Sequence, residues 1–222
     1  LAGVRAHLGP DFDVDKHFNP PYRPMQQRVA FIPDGDLFKC IRDKKASVVT
    51  DQIERFTETG VLLKSGESIE ADVVITATGF NVSLLGDIEV SIDGKPLNLS
   101  DTVSFRGIMF TGVPNFAWTF GYAVYSWTLR SDLVAAFVCR LLQHMHARGY
   151  QRVTTALRPE DANMKLQAWV DPEKFSSGYL MRSQHLFPRR GDKPEWEHSQ
   201  DFVYESEALP KVDLDDPLFR YA

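Results

Sequence analysis

The chain has 222 residues, a net charge of -5 and an apolar share of 43%, enough to bury a substantial core as one large or two small domains. Its acidity and its scattered Lys and Arg exclude a general nucleic-acid binder, and no apolar run approaches the roughly 20 residues that cross a bilayer. Two distant cysteines, Cys40 and Cys139, do not make a disulfide framework, and with no cleavable apolar leader in view the expected setting is cytoplasmic.

Along the chain, the run Asn19-Pro20-Pro21-Tyr22-Arg23-Pro24 cannot propagate a helix and is predicted as an extended crossover. Asp34-Gly35-Asp36 then caps a helix of about two turns, with Leu37, Phe38, Cys40 and Ile41 as its apolar face. Strands are predicted at 47–50, 52–56, 60–64 and 68–76, separated by the turns Thr57-Glu58-Thr59-Gly60 and Ser65-Gly66-Glu67, which makes a small antiparallel meander. Its last strand enters the run Ala71 to Asn81. Val73, Val74, Ile75 and Thr76 suit a strand buried on both faces, and Gly79 supplies a backbone without a Cβ where another group comes close.

Beyond Gly79, Asp93-Gly94 is the clearest hairpin signal and Phe105 to Gly112 reads as one apolar strand. The aromatic loop that follows, with Phe116, Trp118, Phe120, Tyr122 and Tyr125, fits a pocket wall or simply core filling. A long helix comes next, capped by Ser126 or Thr128, with Leu129, Leu133, Phe137, Leu141 and Met145 at helical spacing and Gly149 past its end. From Gln151 onward prolines interrupt every candidate element. That stretch is predicted as an arm wrapping the body, anchored by Trp169, Tyr179, Trp196 and Phe202, with its last dozen residues loose. His144 and His146, two apart on a helix, point about 200 degrees away from each other, and no metal site is expected.

Three pieces stand in a telling order: Tyr22-Arg23-Pro24-Met25-Gln26-Gln27-Arg28 followed by Pro33 to Phe38, then Ala71-Asp72-Val73-Val74-Ile75-Thr76-Ala77-Thr78-Gly79-Phe80-Asn81, then Ser126-Trp127-Thr128-Leu129-Arg130 opening the long helix. The series resembles the C-terminal portion of the class B flavin-dependent monooxygenases, which use FAD and NADPH, and it is most similar to the Baeyer-Villiger branch that includes the ethionamide-activating enzymes. The resemblance covers most of residues 10–150 and continues more weakly through the region from Ser177 to Pro194.

The resemblance implies an α/β fold, part of a two-dinucleotide-binding-domain flavoprotein of Rossmann-like type whose N-terminal half is absent, with the meander and the long helix as its local elements. It implies residues 1–45 as the end of an NADPH-binding domain and the crossover, 46–150 as the C-terminal part of an FAD-binding domain, and 151–222 as the arm. NADPH and O2 would then serve to insert an oxygen atom into a ketone or aldehyde, or to oxidise a sulfur or nitrogen centre, through a flavin C4a-peroxide. By its place in the series Arg28 matches the family's active-site arginine, a residue type that keeps its charge when desolvated. Thr78, Gly79 and Phe80 would meet the dinucleotide, and Tyr122, Ser126 and Trp127 would lie near the flavin, with the first amides of the helix facing negative charge.

The G-x-G-x-x-G fingerprint that cradles pyrophosphate occurs nowhere in the chain. The expected partners are therefore the missing N-terminal half and a small hydrophobic substrate, with a homodimer through unpaired strands as a further expectation. The chain alone is expected to be flavin-free and inactive. The competing reading is a noncatalytic interaction module derived from a flavoprotein fold.

Overall fold

A computed structural model describes all residues from 1 to 222. The chain divides into two units, Leu1–Gly79 and Phe80–Ala222. It is α/β, with small antiparallel sheets and one long helix.

In the first unit, helix α1 (Ala2–Leu8) and helix α2 (Val14–Phe18) precede the proline crossover. Asp13 caps α2 by accepting from the Lys16 amide at 3.0 Å. Helix α3 (Asp36–Arg42) starts where the sequence places it, but Gly35, in the left-handed conformation, turns the chain into it without any side-chain cap. The meander follows as β1 (Ile53–Thr57), β2 (Gly60–Leu63) and β3 (Ser68–Glu70), with β2 central and both pairings antiparallel. Val61 and Leu63 on β2 are buried, whereas β1 exposes every residue, Ile53 and Phe56 included. Residues 47–50, predicted as a strand, are not one.

Gly60 packs directly on β3, and a Cβ there would overlap the Ile69 carbonyl. Since backbone cannot step aside as a side-chain tip can, Gly60→Ala is expected to cost about 1–3 kcal/mol as overpacking. Faster amide hydrogen exchange confined to β2 and β3 is the measurement that checks it.

In the second unit the hairpin of β4 (Ser91–Ile92) and β5 (Lys95–Pro96) turns through Asp93 and Gly94, both at positive φ, as a primed turn demands. The strand predicted from Phe105 to Gly112 is instead a hairpin, β6 (Ser104–Phe105) and β7 (Met109–Phe110). Arg106 and Gly107 both take positive φ and reverse the chain between them, which no extended strand allows. Helix α4 (Trp127–Arg148) ends at Gly149 in the left-handed conformation. Its buried face is Arg130, Val134, Phe137, Leu141 and Met145, so at the N-terminal end the stripe sits one position later than the expected Leu129 and Leu133. Ser126 makes no capping bond to the backbone. Its Oγ lies 2.8 Å from Thr128 Oγ1.

Strand β8 (Val153–Thr155), helices α5 (Gly178–Arg182) and α6 (Phe202–Ala208), and strand β9 (Phe219–Tyr221) complete the unit. The terminal dozen residues are not loose. β9 pairs with β8, and Leu214, Leu218 and Phe219 join the core around Phe105, Phe137 and Trp196. Trp169 and Trp196 are buried as expected of anchors, Trp169 in a second cluster with Phe175, Leu180 and Phe187. Each such aromatic contributes roughly 1.5–3 kcal/mol by leaving water. No helix is long and apolar enough to cross a membrane.

Candidate functional site

Within Leu1–Gly79, Arg28 is exposed on the irregular segment between α2 and α3. Thr78 and Gly79 are exposed at the end of the same unit. The buried strand expected over Val73 to Thr76 is corrected by the structure. The segment is irregular and open, with Val73 76% and Ile75 86% exposed. β3 stops at Glu70 and no other strand of the chain pairs with these residues, so β-branched side chains suited to a sheet interior have no sheet to enter.

Gly79 was singled out for the close approach of another group, and within the chain nothing makes that approach. Its φ is +105, a conformation other residues rarely adopt, and nothing lies within 4 Å of the position a Cβ would take. An apolar ribbon followed by an open, Cβ-free backbone is a surface a flat or elongated cofactor can approach, and the residues present fit one side of a dinucleotide in that limited sense. The phosphate-holding glycine-rich turn is not among them.

Within Phe80–Ala222, Phe80 is 71% exposed and meets Tyr179 edge-on at 5.6 Å between ring centroids. Ser126 and Trp127 are exposed at the start of α4, and the Trp127 ring lies 5.4 Å from that of Phe120. No acidic side chain occupies the first turn of α4, so its free amides remain suited to an anion. Tyr122 is placed differently from its neighbours. It is fully buried, and its hydroxyl donates to Glu205 Oε2 at 2.6 Å. Burial, then the Glu205 carboxylate, pushes the phenol well above its ordinary range and keeps it protonated. The structure thus gives Tyr122 an enclosed position and commits its polar atom within the protein.

The arrangement that holds Tyr122 was not read from sequence. Arg130, with no exposed surface, donates from Nε to Glu205 Oε2 at 2.9 Å, from Nη1 to the Phe120 carbonyl at 2.7 Å and from Nη2 to the Arg106 carbonyl at 2.6 Å. Ser199 Oγ adds a bond to Glu205 Oε1 at 3.2 Å. One guanidinium thereby fastens the first turn of α4 to the aromatic loop, to the turn between β6 and β7, and to α6. The signal available in sequence was the helical period itself, which sets Arg130 four residues before Val134 on the inward face.

Beside this network lies a cavity of about 240 Å³, walled mainly by Phe120, Trp169, Phe175 and Leu180, with Asp171, Lys174, Arg190, His198, Ser199 and Gln200 as its polar and charged members. Of the aromatic loop, Phe120 lines it. His198 is buried and crossed by the Trp169 ring at a centroid distance of 4.1 Å. Burial first, and then the positive charges of Arg130, Arg190 and Lys174, hold its imidazole well below the ordinary range, so it is neutral.

No protein-family model and no solved structure matches the chain. Curated proteins do. The chain is 40% identical over 222 residues to FAD-containing monooxygenase EthA of Mycobacterium tuberculosis, covering 100% of this chain and 44% of that protein. It is 41% identical over 221 residues to "Probable FAD-binding monooxygenase AlmA" of Acinetobacter baylyi, covering 100% and 43%. With FAD-containing monooxygenase EthA of Mycolicibacterium smegmatis it shares 44% identity over 202 residues, covering 91% and 40%. The chain is therefore a homologue of FAD-containing monooxygenases, and to that extent the resemblance read from its three motifs is borne out. It spans less than half the length of these relatives.

Proposed function

We propose that the chain is the C-terminal portion of a soluble, cytoplasmic flavin-dependent monooxygenase with Rossmann-like nucleotide-binding domains. The whole protein would use NADPH and O2 to oxygenate a small hydrophobic ketone or aldehyde, or a sulfur or nitrogen centre. The observation that carries this reading is identity near 40% along the entire chain with proteins named as FAD-containing monooxygenases. The open apolar segment from Val73 to Ile75 supports it, as a face on which a separate nucleotide cradle would settle.

What FAD supplies when bound is transfer of two electrons from NADPH and activation of oxygen. The contribution of this chain is position and charge. Thr78 offers a hydroxyl and Gly79 a backbone free of Cβ, Phe80 covers an apolar edge, and Ser126 and Trp127 mark the helix start whose amides favour negative charge. Tyr122 acts at one remove, by fixing Glu205. Arg28 is the cation that would hold developing negative charge in a site closed to water.

Coexpression with an N-terminal half carrying G-x-G-x-x-G tests the reading. A yellow complex that consumes NADPH and oxygen is expected, and a colourless chain in the presence of a folded partner half overturns it. In that complex Arg28→Ala should keep FAD, seen in the visible spectrum, and lower oxygenation about 100- to 1,000-fold, the usual cost of one preorganised charge-stabilising group. Near-normal turnover would remove Arg28 from the mechanism.

A further inference from the structure

The cavity beside His198 is walled mainly by apolar side chains, yet the polar groups it leaves unused are cations and donors. Arg190 lines it and is only 9% exposed, and its side chain is held by one hydrogen bond, from Nε to the Ala168 carbonyl at 2.8 Å. Its Nη2 and Nη1 reach Asp171 and Glu197 only at 3.9 and 3.6 Å, past hydrogen-bond length, so the hydrogens of both groups lack an acceptor in the protein. Lys174, an exposed member of the lining, makes no hydrogen bond and no ion pair through its ammonium. Trp169 adds an enclosed Nε1–H without a partner. Buried polar groups are ordinarily paired, and a guanidinium with free Nη groups calls for an acceptor of negative charge.

The electrostatic field in the cavity has the matching sign. The charges that act on His198 are positive, from Arg130, Arg190 and Lys174, and together with burial they keep its imidazole neutral. Asp171 is the carboxylate of the wall, but its Oδ1 already accepts from the Glu173 amide at 3.0 Å, and Arg190 and Lys174 together outweigh its charge. Glu197 stands outside the lining with its side chain 38% exposed, where water screens it. The remaining wall sets the rest of the ligand. Its aromatic and aliphatic side chains favour an apolar body, and by comparison with a cavity of about 150 Å³ that holds benzene, about 240 Å³ suits roughly ten non-hydrogen atoms.

We propose that this cavity is a binding site for a small monocarboxylate with an apolar body, the carboxylate held between Arg190 and Lys174 and the body packed against Phe120, Phe175 and Leu180. Arg190 supplies the planar fork that a carboxylate matches, and Lys174 the mobile charge that can close over it. The carbon of a carboxylate is a poor electrophile, so the acid is a ligand of this unit and not the group oxygenated in the reaction proposed above. The inference concerns Phe80–Ala222 alone and holds whether or not the chain joins a flavin-binding half, so failure of reconstitution leaves it standing and its own failure leaves the monooxygenase reading standing.

Calorimetric titration of the 222-residue chain with phenylacetate tests it, with phenylacetamide as the neutral body of the same shape and acetate as the anion without a body. Saturable binding of phenylacetate, about tenfold or more tighter than of either comparison compound, is expected, because charge-assisted bonds and apolar burial each act on it alone in combination. Lys174→Gln, at an exposed position, should lower the affinity for phenylacetate about tenfold and leave that for phenylacetamide unchanged, whereas Lys165→Gln, exposed and outside the lining, should alter neither. A folded Arg190→Gln should lose the preference for phenylacetate over phenylacetamide. The proposal is overturned by absence of saturable phenylacetate binding, by phenylacetamide or acetate binding as tightly, by equal effects of Lys174→Gln and Lys165→Gln, or by a preference unchanged in a folded Arg190→Gln. Where that last variant does not fold, the comparison of the two lysine variants decides.

Discussion

Glu205→Ala is expected to destabilise the Phe80–Ala222 unit by about 3–5 kcal/mol, the range for removing one member of a buried ion pair. The size follows from what stays behind. Arg130 has no exposed surface, so its charge would remain enclosed without a counterion, and both the Tyr122 hydroxyl and Ser199 Oγ would lose their acceptor. A loss of that magnitude is a large part of the total stability of a domain this size. Urea unfolding followed by circular dichroism measures it, and a change below about 1 kcal/mol would mean that water reaches the guanidinium in solution.

The double variant Arg130→Met/Glu205→Leu sharpens the expectation. Removing both charges removes the uncompensated ion, so the double variant should be considerably more stable than the sum of the two single losses allows. It should not recover fully. The Phe120 and Arg106 carbonyls that Arg130 now satisfies would be left without its bonds, at about 1–3 kcal/mol for each one kept from water. This pattern separates charge pairing from mere packing, because a network valuable only for its volume would give additive losses.

The same network shows where sequence reading stops. Local rules carried the hairpin at Asp93-Gly94, the short α3 and the end of α4 at Gly149, since each depends on a few neighbouring residues. They failed at Phe105 to Phe110, where positive φ at Arg106 and Gly107 folds an apparently continuous strand back on itself. They also failed at Val73 to Thr76, where composition reports the environment a segment is suited to but cannot supply the neighbouring strands that create it. The partner of Arg130 lies 75 residues further along the chain, beyond the reach of any periodicity. Of the candidate site, the family was legible from the order of three motifs. The His198 cavity was not, because its walls come from the aromatic loop, the stretch around Trp169 to Leu180 and the approach to α6, three stretches that only the tertiary fold brings together.

Asp161→Asn is expected to cost about 3 kcal/mol at neutral pH and to blunt the acid sensitivity of the unit. Asp161 is buried and accepts from Arg158 Nε at 2.9 Å, Lys193 Nζ at 2.6 Å and Trp196 Nε1 at 3.0 Å, so it joins a surface loop to a tryptophan at the centre of the core. Burial by itself would raise its pKa, but the bonds from Arg158, Lys193 and Trp196 outweigh that and hold the carboxyl well below its ordinary 3.8. A carboxyl depressed in the folded state stabilises fully above its unfolded value, and that stabilisation drains away as the pH falls from about 4 through the folded value. The unaltered chain should therefore lose stability steadily on acidification below about pH 4, while Asp161→Asn, having no proton to take up, starts lower and changes less. Urea midpoints measured from pH 7 down to pH 2.5 should draw together for the two proteins. A constant gap between them would show that Asp161 contributes as a hydrogen-bonding shape, with its charge irrelevant to stability.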